Sequence, residues 1–234
     1  MFQFKQFSVD QNGCAMKINT DGVLLGAMAE ADSPVAILDI GTGTGVIALM
    51  LAQRYITAKI DAVELDETAA QTAGENFKKS RFADRLVQYP LGFEDFFSLY
   101  ADKQYDMIIS NPPFYINSLK SLGGKKTLAK HADVNFFESL VTAIAKHLTA
   151  VGCCWLILPV DIADIVSTLA KSSNLTPQVI IQVYSYPHSK AHRVILCLSF
   201  NQISPAMSKF IIYEAVGVYS SEYRDLLQPY FLAF

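Results

Sequence analysis

The chain has one tryptophan, four histidines and four cysteines among its 234 residues. No run approaches the eighteen or so apolar residues that a membrane span needs. Its opening, MFQFKQFSVD, lacks the apolar stretch of a signal peptide, so a cytoplasmic chain with no membrane contact is expected. Cys14, Cys153, Cys154 and Cys197 follow no metal-ligand spacing, and Cys153 and Cys154 are neighbours in a strand-like run, where they point to opposite faces. All four read as small buried hydrophobes in a reducing compartment. Positive charge is not in surplus either. Nineteen Lys and Arg stand against twenty-two Asp and Glu, and a net charge of −3 argues against a general nucleic-acid coat protein. Repeats, low-complexity tracts and linkers are absent from the sequence as well.

What is present is a globular composition, 51% hydrophobic and 18% charged, at a length of one or at most two domains. Short apolar runs at Ala36–Ile40, Lys59–Leu65, Leu86–Leu91, Tyr105–Ser110 and Gly152–Leu158 read as strands of a parallel sheet covered on both faces. Helical patterns lie between and after them at Gly45–Arg54, Glu67–Lys79, Phe136–Leu148 and Ile162–Lys171. Val179–Tyr184 and Arg193–Phe200 are β-rich and separated by a polar turn, as in an antiparallel pair. Alternating β and α elements with an antiparallel strand at the end predict a doubly wound α/β fold. Residues 1–34 precede the first of these strands and read as a flap or cap over a domain formed by 35–234.

One strand ends in Ile109-Ser110-Asn111-Pro112-Pro113-Phe114. Each proline lacks an N–H, fixes its own φ and extends the residue before it. The segment is therefore stiff, rich in carbonyl acceptors and poor in donors, which suits a flat ligand bearing an NH2 group. A plain proline turn is the competing reading. The first strand leads into Asp39-Ile40-Gly41-Thr42-Gly43-Thr44-Gly45, a glycine loop that lets backbone approach a ligand ahead of a helix N-terminus. Its G-x-G-x-G spacing differs from the G-x-G-x-x-G of dinucleotide sites. Glu64 ends the second strand, where a carboxylate can accept both hydroxyls of a ribose, and Asp66 reads as the cap of the next helix. Phe93 falls where the base of a bound nucleoside would lie, while Phe96 and Phe97 suit the core equally well.

Together, Asp39–Gly45, Glu64 and Asn111–Phe114 resemble class I S-adenosylmethionine-dependent methyltransferases of the amino-methylating N/D-P-P-Y/F/W group. Phe4–Ala27 (FKQFSVDQNGCAMKINTDGVLLGA), ISNPPF with the later SLK and AKHAD, YPHSKAHRVILCLSF, and SSEYRDLLQPYFL are similar to the bacterial tRNA1(Val) adenine-N6 methyltransferases over essentially the whole chain. Lys130 stands where that family would lead one to expect arginine, and phenylalanine rather than tyrosine closes the motif.

The resemblance implies a Rossmann-like, mostly parallel seven-stranded sheet and a tRNA substrate methylated on N6 of the adenine 3′ of the anticodon. It implies S-adenosylmethionine held by Thr20, Asp21, Asp39, Gly41, Thr42, Gly43, Gly45, Glu64, Leu65, Phe93 and Asn111. Thr20 or Asp21 reads equally as a helix cap, and Asp39 either orients the glycine loop structurally or reaches the cofactor's amino group through water. Asn111 and Pro112 would accept the N–H groups of the adenine amine, with Pro113 stiffening the turn and Phe114 stacking on the extruded base. No metal is required, and the chain is taken as a monomer. His188 and His192 are four apart but straddle a turn-like Pro187–Lys190, and His147 reads as a surface or boundary residue. Lys120, Lys125, Lys126, Lys130 and His131 form a basic stretch free of acids directly after the motif, and Lys190 with Arg193 gives a second patch. Both are candidate phosphate contacts, although a solvated loop accounts equally well for the first.

A protein-glutamine methyltransferase of the release-factor type fits the same acceptors, but such enzymes carry a helical domain ahead of the first strand. A guanine-N2 rRNA enzyme would continue the motif with histidine, where Tyr115 stands here. The glycine spacing disfavours a nucleotide-dependent dehydrogenase, and Glu64 with the glycine loop disfavours a non-catalytic RNA-binding module.

Overall fold

The computed structural model describes residues 1–14, 16–113 and 126–234, with 126–133 described by their helical backbone only. The chain opens with a small antiparallel pair, β1 (Phe2–Gln3) and β2 (Ser8–Val9), then helix α1 (Thr20–Met28). The alternation follows as β3 (Ala36–Ile40), α2 (Val46–Arg54), β4 (Lys59–Val63), α3 (Glu67–Lys79), β5 (Leu86–Tyr89), α4 (Phe93–Leu99) and β6 (Tyr105–Ser110). Next come α5 (Lys126–His147), β7 (Leu148–Leu158), α6 (Val160–Ser172), β8 (Thr176–Tyr184), β9 (Ala191–Ser199) and β10 (Ala206–Ile211). A short hairpin of β11 (Tyr213–Ala215) and β12 (Val218–Tyr219) leads to α7 (Ser221–Leu227).

Strands β10-β8-β9-β7-β6-β3-β4-β5 form one sheet in that order. β9 pairs antiparallel with β7 and β8, and every other pairing in this sheet is parallel. The doubly wound α/β class is as expected, and the sheet has one strand more than the seven anticipated. The extra strand is β10, AMSKFI, which lies at the edge with its first four residues exposed. An edge strand needs no apolar pattern on both faces, so its sequence gave little sign of it.

Side chains alternate strictly between the two cores, as a pleated sheet requires. Ile37, Met107, Ile109, Trp155, Ile157, Ile195 and Cys197 pack on the face of α1 and α2. Leu38, Ile108, Leu156, Leu158, Leu196 and Leu198 pack on the face of α4, α5 and α6. Residues 1–34 join the first of these cores: Phe4, Val9, Leu24 and Leu25 are fully buried in it. The first core also takes in the chain's other end. Phe4 bridges to Phe231, and the Lys5 backbone N–H donates to the Tyr230 carbonyl (2.8 Å).

Candidate active site

The site begins with strand register. Ile40 of β3 lies opposite both Val63 of β4 and Ser110 of β6, and Val63 lies opposite Tyr89 of β5. Gly41, Glu64 and Asn111 therefore leave the sheet side by side at its carboxyl edge. The chain moves from β3 to β4 and β5 on one side, then returns to β6 on the other, so this is a topological switch point. The Ser110 hydroxyl, almost fully buried, donates to the Ile40 carbonyl (2.8 Å) and ties the two strand ends together.

The glycine loop is held by its neighbours. The N–H groups of Gly41 and Thr42 donate to the Val63 carbonyl at 2.9 and 3.0 Å. Glu64 accepts from Gly43 N–H through Oε2 and from Asp66 N–H through Oε1, both at 2.9 Å. These two bonds orient the carboxylate and leave each oxygen a further lone pair. Gly41, Gly43 and Gly45 all have positive φ, but they do different jobs. A Cβ on Gly41 or Gly43 would meet no atom within 4 Å, whereas one on Gly45 would stand 2.4 Å from Phe77 Cε1 of α3. Gly45 is there so that α2 can pack on α3. Gly41 and Gly43 border open space.

That space is a cleft of about 600 Å³ whose lining includes Gly41, Gly43, Glu64, Leu65, Phe93 and Asn111–Pro113, and also Met16, Asp66, Glu94, Ser110 and Phe136. Beneath the loop, Asp39 is fully buried and accepts the Thr42 hydroxyl through Oδ2 (2.6 Å). Its Oδ1 makes no hydrogen bond of good geometry, although the Ala48 N–H of α2 is near enough to the carboxylate to favour its anion. Burial pushes the Asp39 carboxyl up from 3.8 to about 7, with the Thr42 hydrogen bond opposing the shift. The first turn of α1 abuts the motif: a Cβ on Gly22 would stand 3.8 Å from Asn111 Nδ2. A larger concavity, about 1270 Å³, opens between α1, α7 and the β7–β10 half of the sheet. Val35 and Asp106, at the amino ends of β3 and β6, line it together with Glu30, Asp32 and Glu222. It has neither a glycine turn nor an acceptor row.

Residues 17–159 match the family model of the methyltransferase small domain. A protein of Pedobacter heparinus named tRNA1(Val) (adenine(37)-N6)-methyltransferase is 45% identical, over 100% of this chain and 98% of its own. One of the same name from Flavobacterium johnsoniae is 42% identical, over 99% of each chain. The chain belongs to this methyltransferase family. A crystal structure of a predicted O-methyltransferase from Agrobacterium tumefaciens superposes with a TM-score of 0.70 at 16% identity, over 90% of this chain and 96% of that one, which bears on the fold alone. Methyltransferases of this fold draw generally on S-adenosylmethionine. The open space beside Gly41 and Gly43 and the oriented Glu64 carboxylate fit such a group, while Asp39 lies buried beneath the loop rather than in the cleft lining.

The structure of the methyltransferase sorts the other expected residues. Gly45 and Thr42 stand behind the cleft, one packing on Phe77 and the other bonded to Asp39. Leu65 is 73% exposed at the rim. Phe93 is nearly buried and meets Phe136 edge to face (5.8 Å, 85°), so it serves core and cleft together. Asp66 caps α3 as expected, accepting from Ala69 N–H (2.8 Å).

The cap of α1 is neither Thr20 nor Asp21 but Asn19, whose Oδ1 accepts from Gly22 N–H (2.9 Å). Thr20 is exposed, and Asp21 instead accepts from Arg193 Nε of β9 (2.7 Å), an ion pair with both side chains largely shielded. Lys190 is exposed on the β8–β9 turn. His147 is buried rather than at the surface: its ring stacks on Phe97 (3.9 Å, 15°), and Nδ1 lies 2.9 Å from the Lys103 carbonyl. Phe114, Lys120 and Lys125 lie outside the described residues, as do the side chains of Lys126, Lys130 and His131. Met16 and Phe136 line the cleft without having been expected there. Neither carries a polar group, and isolated apolar residues give no sequence signal for a ligand. Among the described residues no cluster of His, Cys, Asp or Glu gathers as a metal site, and no helix is long and apolar enough to cross a membrane.

Proposed function

We propose that this chain transfers a methyl group from S-adenosylmethionine to N6 of adenine 37 in tRNA1(Val). The observation that carries the reading is the placement of Asn111-Pro112-Pro113 at the switch point, level with Gly41 and Glu64 and lining the same cleft. The relatives' shared name, over essentially their full length, supports the choice of substrate. When bound, S-adenosylmethionine supplies an activated methyl group on a sulfonium. Glu64 holds the ribose hydroxyls, Gly41 and Gly43 leave room for close backbone approach, and Asp39, buried beneath the loop, reaches the amino group through water.

The adenine amine is a poor nucleophile because its lone pair is delocalised into the ring. Asn111 Oδ1 and the Pro112 carbonyl accept its two N–H groups and draw the nitrogen towards tetrahedral geometry. They also stabilise the positive charge that develops there. Two prolines hold this acceptor row rigid, so it needs no reorganisation as charge appears. The Asn111 amide nitrogen lies on the side of Gly22 of α1, and Oδ1 is the acceptor assigned to the substrate. Phe114 stacks on the extruded base, and the lysines that follow it meet the flanking phosphates. Incubation with labelled S-adenosylmethionine and total tRNA, followed by nucleoside analysis, tests this: label in N6-methyladenosine is expected. Label in N2-methylguanosine, or in protein only, overturns it.

A further inference from the structure

The carboxyl edge of the sheet carries a second feature that the transfer chemistry does not use. Ser110 of β6 aligns through Leu156 of β7 and Leu196 of β9 with Ile180 of β8. β8 continues four residues past that level to Tyr184, so the β8–β9 hairpin stands about 13 Å above the edge where Asn111 emerges. Three strand spacings, about 14 Å, separate it laterally from β6. The hairpin is a wall beside the cleft, and its top is aromatic. Tyr186 packs on Tyr213 (centroids 5.5 Å, 31°), Tyr213 stacks on Tyr219 (4.9 Å, 22°), and Tyr219 stacks on Tyr223 (4.6 Å, 7°).

The ladder is anchored at one end and open at the other. Tyr223 is buried in the core on α7, whereas Tyr219 and Tyr186 are 36% and 37% exposed. The turn that presents Tyr186 is locked. Tyr186 N–H donates to Ser189 Oγ (3.1 Å), while Ser189 donates its hydroxyl (2.8 Å) and its N–H (3.0 Å) to the Tyr186 carbonyl. Tyr213 N–H donates to the Ser185 carbonyl (3.0 Å), joining the two hairpins. Lys190 and His188 are exposed on the same turn. Glu214 is the one carboxylate of the two hairpins, and it is engaged by Ser221 N–H (3.1 Å). Rigid, outward-facing rings with a lysine on the same turn, beside the cleft read above as taking an extruded base, make a stacking platform for single-stranded nucleic acid.

We propose that Tyr186, backed by Tyr213 and Tyr219, stacks on an unpaired base of the RNA substrate a few nucleotides from the methylated one, with Lys190 on an adjacent phosphate. This rests on the tRNA reading above, and it assigns the wall as the surface that holds the loop while its adenine is extruded. Net charge of −3 gives the chain no general field for RNA, so stacking on a built platform supplies affinity that charge does not.

The test is binding of a labelled anticodon stem-loop by fluorescence anisotropy, with S-adenosylhomocysteine present and no turnover. Tyr186→Ala is expected to weaken binding about five- to 140-fold, the range for loss of one base–aromatic stack. Tyr186→Phe, which keeps the ring, is expected to stay within about twofold of the parent. Lys190→Ala should lower the salt slope by about one unit or less. Tyr186 sits in an exposed turn, and calorimetric affinity for S-adenosylhomocysteine checks that the variants keep the cofactor site. Unchanged stem-loop binding in Tyr186→Ala, or a parent that does not bind the stem-loop, overturns the platform. A parent that binds the stem-loop but never forms N6-methyladenosine overturns the transfer reading instead.

Discussion

If Asp39 reaches the cofactor's amino group as proposed, its buried carboxyl should make cofactor affinity depend on pH in a calculable way. Its carboxyl is pushed up to about 7 because burial disfavours the anion more than the Thr42 hydroxyl and the Ala48 N–H favour it. A cationic amino group reached through water binds the ionised form. At pH 6 roughly a tenth of the carboxyl is ionised, and at pH 8 roughly nine-tenths, so affinity should rise about tenfold across that window, about 1.4 kcal/mol. Stability of the free protein runs the other way. A carboxyl whose folded pKa is raised holds a proton that the unfolded chain has released, so stability falls as pH rises from 3.8 to about 7 and is flat above. Asp39→Asn should therefore melt higher than the parent at pH 8, yet bind S-adenosylhomocysteine more weakly and with no pH dependence between 6 and 8. Calorimetric titration at several pH values measures the affinity, and thermal melts measure the stability. A parent whose affinity is flat across the window, or an Asn variant with the parent's slope, refutes the assignment.

Glu64→Ala should weaken S-adenosylhomocysteine by about 1–3 kcal/mol in calorimetry, the scale of charged hydrogen bonds lost, and unchanged affinity would remove Glu64 from the site. Gly45→Ala should lower stability by about 2–4 kcal/mol in urea unfolding, because its Cβ would drive into Phe77 at a positive φ. Near-parental stability there would show that α2 and α3 separate freely. Asn111→Ala should abolish methylation while leaving calorimetric affinity for S-adenosylhomocysteine near the parent's, and full activity in that variant would contradict the acceptor row. Arg193→Ala should cost about 1–3 kcal/mol in unfolding, since it leaves the largely shielded Asp21 without its guanidinium, and no loss would mean that the pair is solvated away.

Much of the candidate site's placement was legible because parallel strands bring the residues at their carboxyl ends to one edge of the sheet. An apolar run followed by glycines, a carboxylate or Asn-Pro-Pro marks such an end, and the register then sets those ends side by side. Asp66 was legible as a cap because Asp before a helical pattern has few other uses. Asn19 was not, since Asn19, Thr20 and Asp21 are all capping types in succession and only the backbone decides among them. The partnership of Asp21 with Arg193 joins residues 172 positions apart, beyond the reach of any local pattern. The burial of His147 likewise depends on Phe97 and the Lys103 carbonyl, brought to it by tertiary packing. The division of labour among the three glycines was also hidden. All three share one φ sign, and only the position of Phe77 separates the packing glycine from the two that border the cleft.

Which base receives the methyl group tests the acceptor row most directly. Two transcripts of tRNA1(Val), one with adenine and one with guanine at position 37, are incubated with the protein and labelled S-adenosylmethionine, then digested to nucleosides. The acceptor row at Asn111 and Pro112 predicts N6-methyladenosine from the first transcript and no label in the second. Equal labelling of both, or N2-methylguanosine from the second, would contradict it.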